Sequence, residues 1–329
     1  MSQEARIYVG MHDGVCAVTS SDGGQTWQQQ PVTPLAHAAA RLSASGAAPG
    51  RAYLAAYEAG VYRTDDGGQT WNHLDSYPTD YAHSVLAHPS EMDTVYVGSE
   101  PAAVFCSADG GQGWEELAAF RAVPEAVEWG FHAPTRDSHV RDLRFGPGDA
   151  RRLYAGIEVG GMVGTADGGE NWQQLPGLND DIHCVNLSQA RPDRVYVATA
   201  RAPYRSDDRG GHWELINAGL DRRYTLHIAA APDDADLVLV TVSENARRKS
   251  PQFYRSTDGG RNWALVAGLG EGEEAEAMVV AFDWDSQQSG HVYAGTDGGK
   301  LFHSQDGGLT WQQLPVSLSS VAVGALAVG

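Results

Sequence analysis

Cysteine is scarce. Cys16, Cys106 and Cys184 lie far apart in 329 residues, so neither a disulfide framework nor a Cys-x-x-Cys metal clip is available, and all three read as reduced core positions. Basic charge is also short: 23 Lys and Arg against 42 Asp and Glu leave a formal charge of -19. That excess repels a phosphate backbone or an anionic lipid surface and argues against nucleic acid or membrane as partner. No run of about 18 apolar residues occurs, and the start, MSQEARIYVG, has no basic stretch leading into an apolar one. A soluble, cytoplasmic protein is the expectation. No dinucleotide fingerprint or haem motif is found, so no nucleotide cofactor is expected. With 42% apolar and 20% charged residues, disorder, collagen and coiled coil are also excluded.

What is abundant is one octapeptide. SSDGGQTW (20–27) returns as TDDGGQTW (64–71), SADGGQGW (107–114), TADGGENW (165–172), SDDRGGHW (206–213), STDGGRNW (256–263) and SQDGGLTW (304–311). Seven copies in 329 residues give 47 residues per copy, the length of a four-stranded propeller blade. β-Branched and aromatic runs such as Val95-Tyr96-Val97-Gly98 and Leu153-Tyr154-Ala155-Gly156 precede the motifs, as strands require. The chain starts at a second strand and ends on an apolar segment, 320–327. The reading is therefore all-β: a single closed seven-bladed propeller over 1–329, with blade 1 made of 5–30 plus 319–328.

The octapeptide resembles the Asp-box, or BNR repeat, Ser/Thr-x-Asp-x-Gly-x-Thr-Trp. The chain thus resembles BNR and WD40/YVTN-type propellers: sialidases, xyloglucanases, sortilin-type receptors and the photosystem II assembly factor. That resemblance implies that the box lies between third and fourth strands, on the face opposite the functional one. Asp22, Asp66, Asp109, Asp167, Asp208, Asp258 and Asp306 are then turn-forming groups, and each box has too few fixed carboxylates for a calcium loop. A sialidase is not expected, since there is no Arg-Ile-Pro motif, sialidases have six blades rather than seven, and the first blade offers no arginine beyond Arg6. The xyloglucanases pair two propellers where this chain has one. The assembly factor matches in size and blade count but is an exported protein with an arginine-rich surface, and this acidic chain departs on both points.

Function lies in what breaks the repeat. Box tryptophans are 41 to 50 residues apart except for 58 between Trp114 and Trp172, so 118–138 is an insertion joining blades 3 and 4. It carries Trp129, His132 and Arg136 and is expected to fold over the channel mouth. Aligning second strands places His12, Tyr57, Glu100, Glu158, Ala200, Val242 and Asp297 on the same face. Counting twelve residues back from those strands reaches His83, Arg141, His183 and Thr225, with His139 and His227 two residues away on the same parity. A funnel ringed by His83, Glu100, His139, Arg141, Glu158 and His183 follows.

Two readings of that ring stay open: a structural hydrogen-bonded network, or a site for a small, anionic ligand. In the second, His83, His139, His183 and Glu158 serve acid-base chemistry of a hydrolase or lyase, with Arg141 as anion clamp and Trp129, His132, Arg136, Glu100, Tyr57 and His227 as ligand contacts. A divalent metal on His83 and His183 is left open, although no sequence-local metal motif supports it. The rival to an enzyme is a scaffold that docks a protein on the top rim, where Arg247, Arg248 and Lys249 meet the acidic run Glu271, Glu273, Glu274 and Glu276.

Overall fold

The computed structural model describes residues 4–130, 137–178, 181–267, 269 and 277–329. Seven antiparallel sheets follow one another along the chain. Blade 3 shows the plan: Ala82–Ala87 innermost, then Val95–Ser99, Val104–Ser107 and a two-residue outer strand, Glu115–Glu116. The inner three strands are apolar and buried, so each blade face packs on its neighbour and no single blade is stable alone. No helix among the described residues is long and apolar enough to cross a membrane.

Closure is non-covalent. Leu326–Val328 pairs antiparallel with Ala5–Gly10, Ile7 opposite Val328, and becomes the innermost strand of blade 1. The strand is shorter than the 320–327 expected. Residues before it leave the ladder in a turn with Gly324 at φ +69°, where the Arg41 guanidinium occupies the space a Cβ would need. The seam is also stapled outside the sheet, since Trp27 of blade 1 meets Tyr293 of blade 7 edge-on at 5.7 Å.

Each box connects the third strand to the outer one. Asp66 Oδ1 accepts the Thr64 hydroxyl and the Thr70 N–H, both at 2.9 Å, and Oδ2 accepts the Thr70 hydroxyl at 2.6 Å. The Thr64 oxygen accepts the Gly68 N–H at 2.9 Å. Every acceptor is engaged within one turn. Gly68 lies at φ +87°, and a Cβ there would stand 2.6 Å from the Ala17 Cβ of blade 1, so both backbone sign and clearance demand glycine. Arginines bridge the blades on this side: Arg63 donates to the Gly110 carbonyl (2.5 Å), Arg205 to Gly259 (2.7 Å) and Arg255 to Gly307 (2.7 Å).

Candidate functional site

Near the start of six inner strands the ladder skips one residue: Ala40, His83, Arg141, His183, Leu226 and Val280. Each skip is a one-residue β-bulge, which breaks alternation and turns successive side chains to the same side. In blade 2 the result is plain, because Ala38, Ala39, Ala40 and Arg41 all line the axial cavity. The twelve-residue count therefore lands on the bulge in blades 3 to 5. In blade 6 the second strand starts at Val238, one residue late, and the bulge residue is Leu226 rather than Thr225.

That slip relocates His227. It stands one residue past the bulge, at the position of Arg41, Asp142 and Cys184, and lines a lower cavity of 250 Å³ with Arg41, Arg144, Asn186 and Asp283. It is buried against Phe282 at 4.4 Å and does not join the funnel residues expected of it. Arg41 divides the axis. Reaching in from blade 2, it donates to the His183 carbonyl of blade 5 at 2.7 Å and the Val323 carbonyl at 2.9 Å, and faces Asp142 at 3.8 Å. It lines the lower cavity and also the funnel above, a 220 Å³ cavity walled by His12, Tyr57, His83, Arg141 and Val323.

Blades 3 and 4 meet in a buried polar cluster on the funnel wall. The His83 and His139 rings stack at 3.8 Å, 25° from parallel. Glu100 Oε2 lies 2.8 Å from His83 Nε2 and 3.5 Å from His139 Nδ1. On the far side His139 Nε2 is 3.1 Å from Glu158 Oε2, which also takes the Arg141 guanidinium. Burial holds His83 down to about 4 against the upward pull of Glu100, so its imidazole is neutral at pH 7. Burial alone would raise Glu158. Arg141, helped by His139 and His183, outweighs it and keeps the carboxylate far below its usual range. Burial likewise opposes the charge on Arg141, and Glu158 more than restores it. Tyr57 covers His83 edge-on at 5.0 Å.

The other expected residues are distributed differently. His183 donates from Nδ1 to the Thr225 carbonyl (2.6 Å), has Asp181 3.5 Å from Nε2, and packs on Tyr224 at 4.8 Å. Its partners are thus its own blade and blade 6. Trp129 does not cover the funnel: its ring packs on Phe120 at 5.2 Å, its indole donates to Gln174 at 3.2 Å, and it walls a separate groove with Pro101, Arg121 and Val127. The insertion's two short 3-10 turns, Ala118–Phe120 and Pro124–Glu128, bury Phe120 against Trp172 and so tie the segment to blade 4. His132 and Arg136 lie outside the described residues, as do Glu271, Glu273, Glu274 and Glu276. On the rim Arg248 pairs with Asp297 (3.5 Å) and Lys249 with Glu244 (3.2 Å). Arg41 and Asp142 were not singled out in the sequence. Arg41 is a lone charge inside an apolar strand, and Asp142 is an acidic residue between Arg141 and Arg144.

The box motif and the fold both have known counterparts. A BNR/Asp-box repeat model matches residues 62–73. Over 224 residues the chain is 27% identical to the oligoxyloglucan-reducing end-specific xyloglucanase of Emericella nidulans, covering 60% of this chain and 26% of that protein. It therefore spans about a quarter of the length of that curated relative. Among solved structures, the GH74 xyloglucanase from Xanthomonas campestris superposes with a TM-score of 0.69 at 15% identity, over 96% of this chain and 56% of the other. YCF48 bound to D1 peptide superposes at 0.59 and 22% identity, over 84% and 80% of the two chains. These likenesses establish a seven-bladed Asp-box propeller. At such identities they speak for the fold.

Proposed function

We propose that the funnel binds a small anionic group, a carboxylate or phosphate ester, and hydrolyses the molecule that carries it. The observation that carries this reading is one wall of the funnel. There the guanidinium of Arg141, held in place by Glu158, stands beside the neutral imidazole of His83, braced by Glu100. A guanidinium fixed before the ligand arrives gives a directional, charge-assisted contact without an ordering cost. A neutral imidazole against a carboxylate is a proton acceptor for water held next to that ligand. His12 and Tyr57 complete the wall and set the size of the group admitted. The xyloglucanase relative, a hydrolase by name, supports this reading.

A second reading is favoured by coverage: the match to YCF48 embraces four-fifths or more of both chains, whereas the match to the xyloglucanase structure leaves nearly half of that enzyme aside. In it the same Arg141 takes a carboxylate of a peptide, with no turnover. Calorimetric titration with succinate and with inorganic phosphate tests the shared part. Binding is expected in the wild type and ~30-fold weaker in Arg141→Ala, the worth of a charge-assisted pair. Equal binding in both proteins rules the funnel out. Turnover of p-nitrophenyl acetate or p-nitrophenyl phosphate, lost ~100-fold in His83→Ala, separates the readings, and anion binding with no turnover supports docking.

A further inference from the structure

We infer that His83 Nε2, His139 Nδ1 and Glu100 Oε2 form a binding site for one divalent first-row transition ion, at the junction of blades 3 and 4. The inference deepens the hydrolytic reading, because the same wall of the funnel is involved. Among the described residues these three are the group of His, Cys, Asp and Glu whose ligand atoms all lie within 4.8 Å of one another. An ion held at about 2.1 Å by each donor in tetrahedral geometry places those donors about 3.4 Å apart. The two distances from Glu100 Oε2, 2.8 Å and 3.5 Å, bracket that separation. One nitrogen of each ring faces Glu100 Oε2, and because the rings stack 25° from parallel, their in-plane lone pairs meet on one ion only after one ring rotates about its Cβ–Cγ bond.

The second observation is the surroundings of His139. Its other ring nitrogen meets Glu158 at 3.1 Å, and Glu158 is in turn clamped by Arg141. A histidine that ligates a metal commonly donates its remote N–H to a carboxylate, which fixes tautomer and ring orientation. In the tautomer protonated at Nε2, the proton faces Glu158 and Nδ1 keeps its lone pair on the side of Glu100. Two imidazoles and one carboxylate favour zinc or ferrous iron over magnesium or calcium, which prefer oxygen alone. Three protein ligands leave a position open, as in catalytic rather than structural sites. His83 and Arg141 both border the funnel, so that position is the one a water or an anionic ligand takes. With the ion bound, His83 is a ligand rather than a base, and the ion would take over activation of the water by acidifying it. Arg141 then serves twice, steadying Glu158 and meeting the anion.

The pair His83 and His183, suggested by the sequence, is not the one brought together, since His183 turns to Thr225 and Asp181. This supplies the control. Metal-stripped, tag-free full-length protein is titrated with zinc chloride and separately with cobalt chloride, with no ligand present. One ion per chain is expected, with the visible absorption of low-coordinate cobalt. His139→Ala and Glu100→Gln are expected to lose binding by ~100-fold or more, and Glu158→Gln by ~10-fold through the outer shell. His183→Ala is expected to keep the ion. Failure of the wild type to bind either ion, or loss on His183→Ala with retention in His139→Ala, overturns the site. Should a variant fail to fold, imidazole nitrogen NMR on cobalt-loaded wild-type protein decides: paramagnetic shifts at the His83 and His139 rings support the site, and shifts elsewhere refute it. Succinate titration of the metal-free protein reads Arg141 alone. A failed anion reading and a failed metal reading are therefore told apart.

Discussion

The two faces of the propeller use carboxylates in opposite ways. On the box side seven aspartates each close a turn of their own chain, and their acceptors are filled from residues within four positions, as with Asp22 and Thr26 or Asp306 and Thr310. On the funnel side Glu158 ends the second strand of blade 4 and Glu100 follows that of blade 3, and both find partners far away in sequence, on buried rings and one arginine. The first arrangement is local, repeated and saturated. The second is long-range, buried, and borders a cavity through His83 and Arg141. A carboxylate whose acceptors are filled by its own turn has nothing left for a ligand, which is why the commonest acidic motif here is the least chemical.

The sharpest way to break the comparison is Glu158→Ala. It strands the Arg141 guanidinium and His139 in a buried place, and is expected to cost about 3 kcal/mol in urea unfolding, the loss seen when one partner of a buried pair is removed. A loss no larger than that for a box aspartate makes the two faces equivalent.

Acid titration comes next. His83 is held down to about 4 in the fold, while in the unfolded chain it takes a proton near 6.5. Its stabilising share is present above about pH 6.5 and is lost as pH falls toward 4, on the order of 3 kcal/mol. His227, pushed down by burial and by Arg41 and Arg144, acts with the same sign. The box aspartates Asp22 and Asp306 are lowered to about 2 by the hydrogen bonds of their own turns, so their share is lost only below about pH 4. Two acid stages are expected in the pH dependence of stability, and His83→Gln is expected to shrink the upper one alone.

Gly68→Ala probes the box backbone rather than its charge. A left-handed position and the close Ala17 Cβ together predict a cost of about 1.5 kcal/mol by chemical denaturation, with anion binding in the funnel unchanged. Asp66→Ala is the mildest. One of seven equivalent turns is loosened, and calorimetry is expected to show Tm lower by about 2 °C with metal and succinate titrations untouched.

The repeat, its period, the strands around it and the closing tail were legible before any coordinates, since each is a local pattern read from a few adjacent residues. Three things were not. The bulge displaced the blade 6 alignment by one residue, which moved His227 from the funnel to the cavity below Arg41. Trp129 was expected over the channel because long insertions often cover sites, yet the apolar Phe120 beside it drew the segment down onto Trp172. Arg41 gave no warning, because a single arginine after three alanines does not announce that it will cross an axis to blade 5.

By itself the sequence determined the blades. Box turns and alternating strands depend on contacts within a few residues, and 47-residue repetition leaves them little alternative to stacking in a ring. Only the tertiary structure decided the chemistry. Which of the polar strand starts meet depends on how far each blade is rotated about the axis and on where each ladder slips. His83 comes to lie on His139 and both on Glu100 because two successive blades are pressed together by their apolar faces, which brings residues 39 to 56 positions apart into contact. That pressure is non-directional, so the pairing it produces is written in no single stretch of the chain.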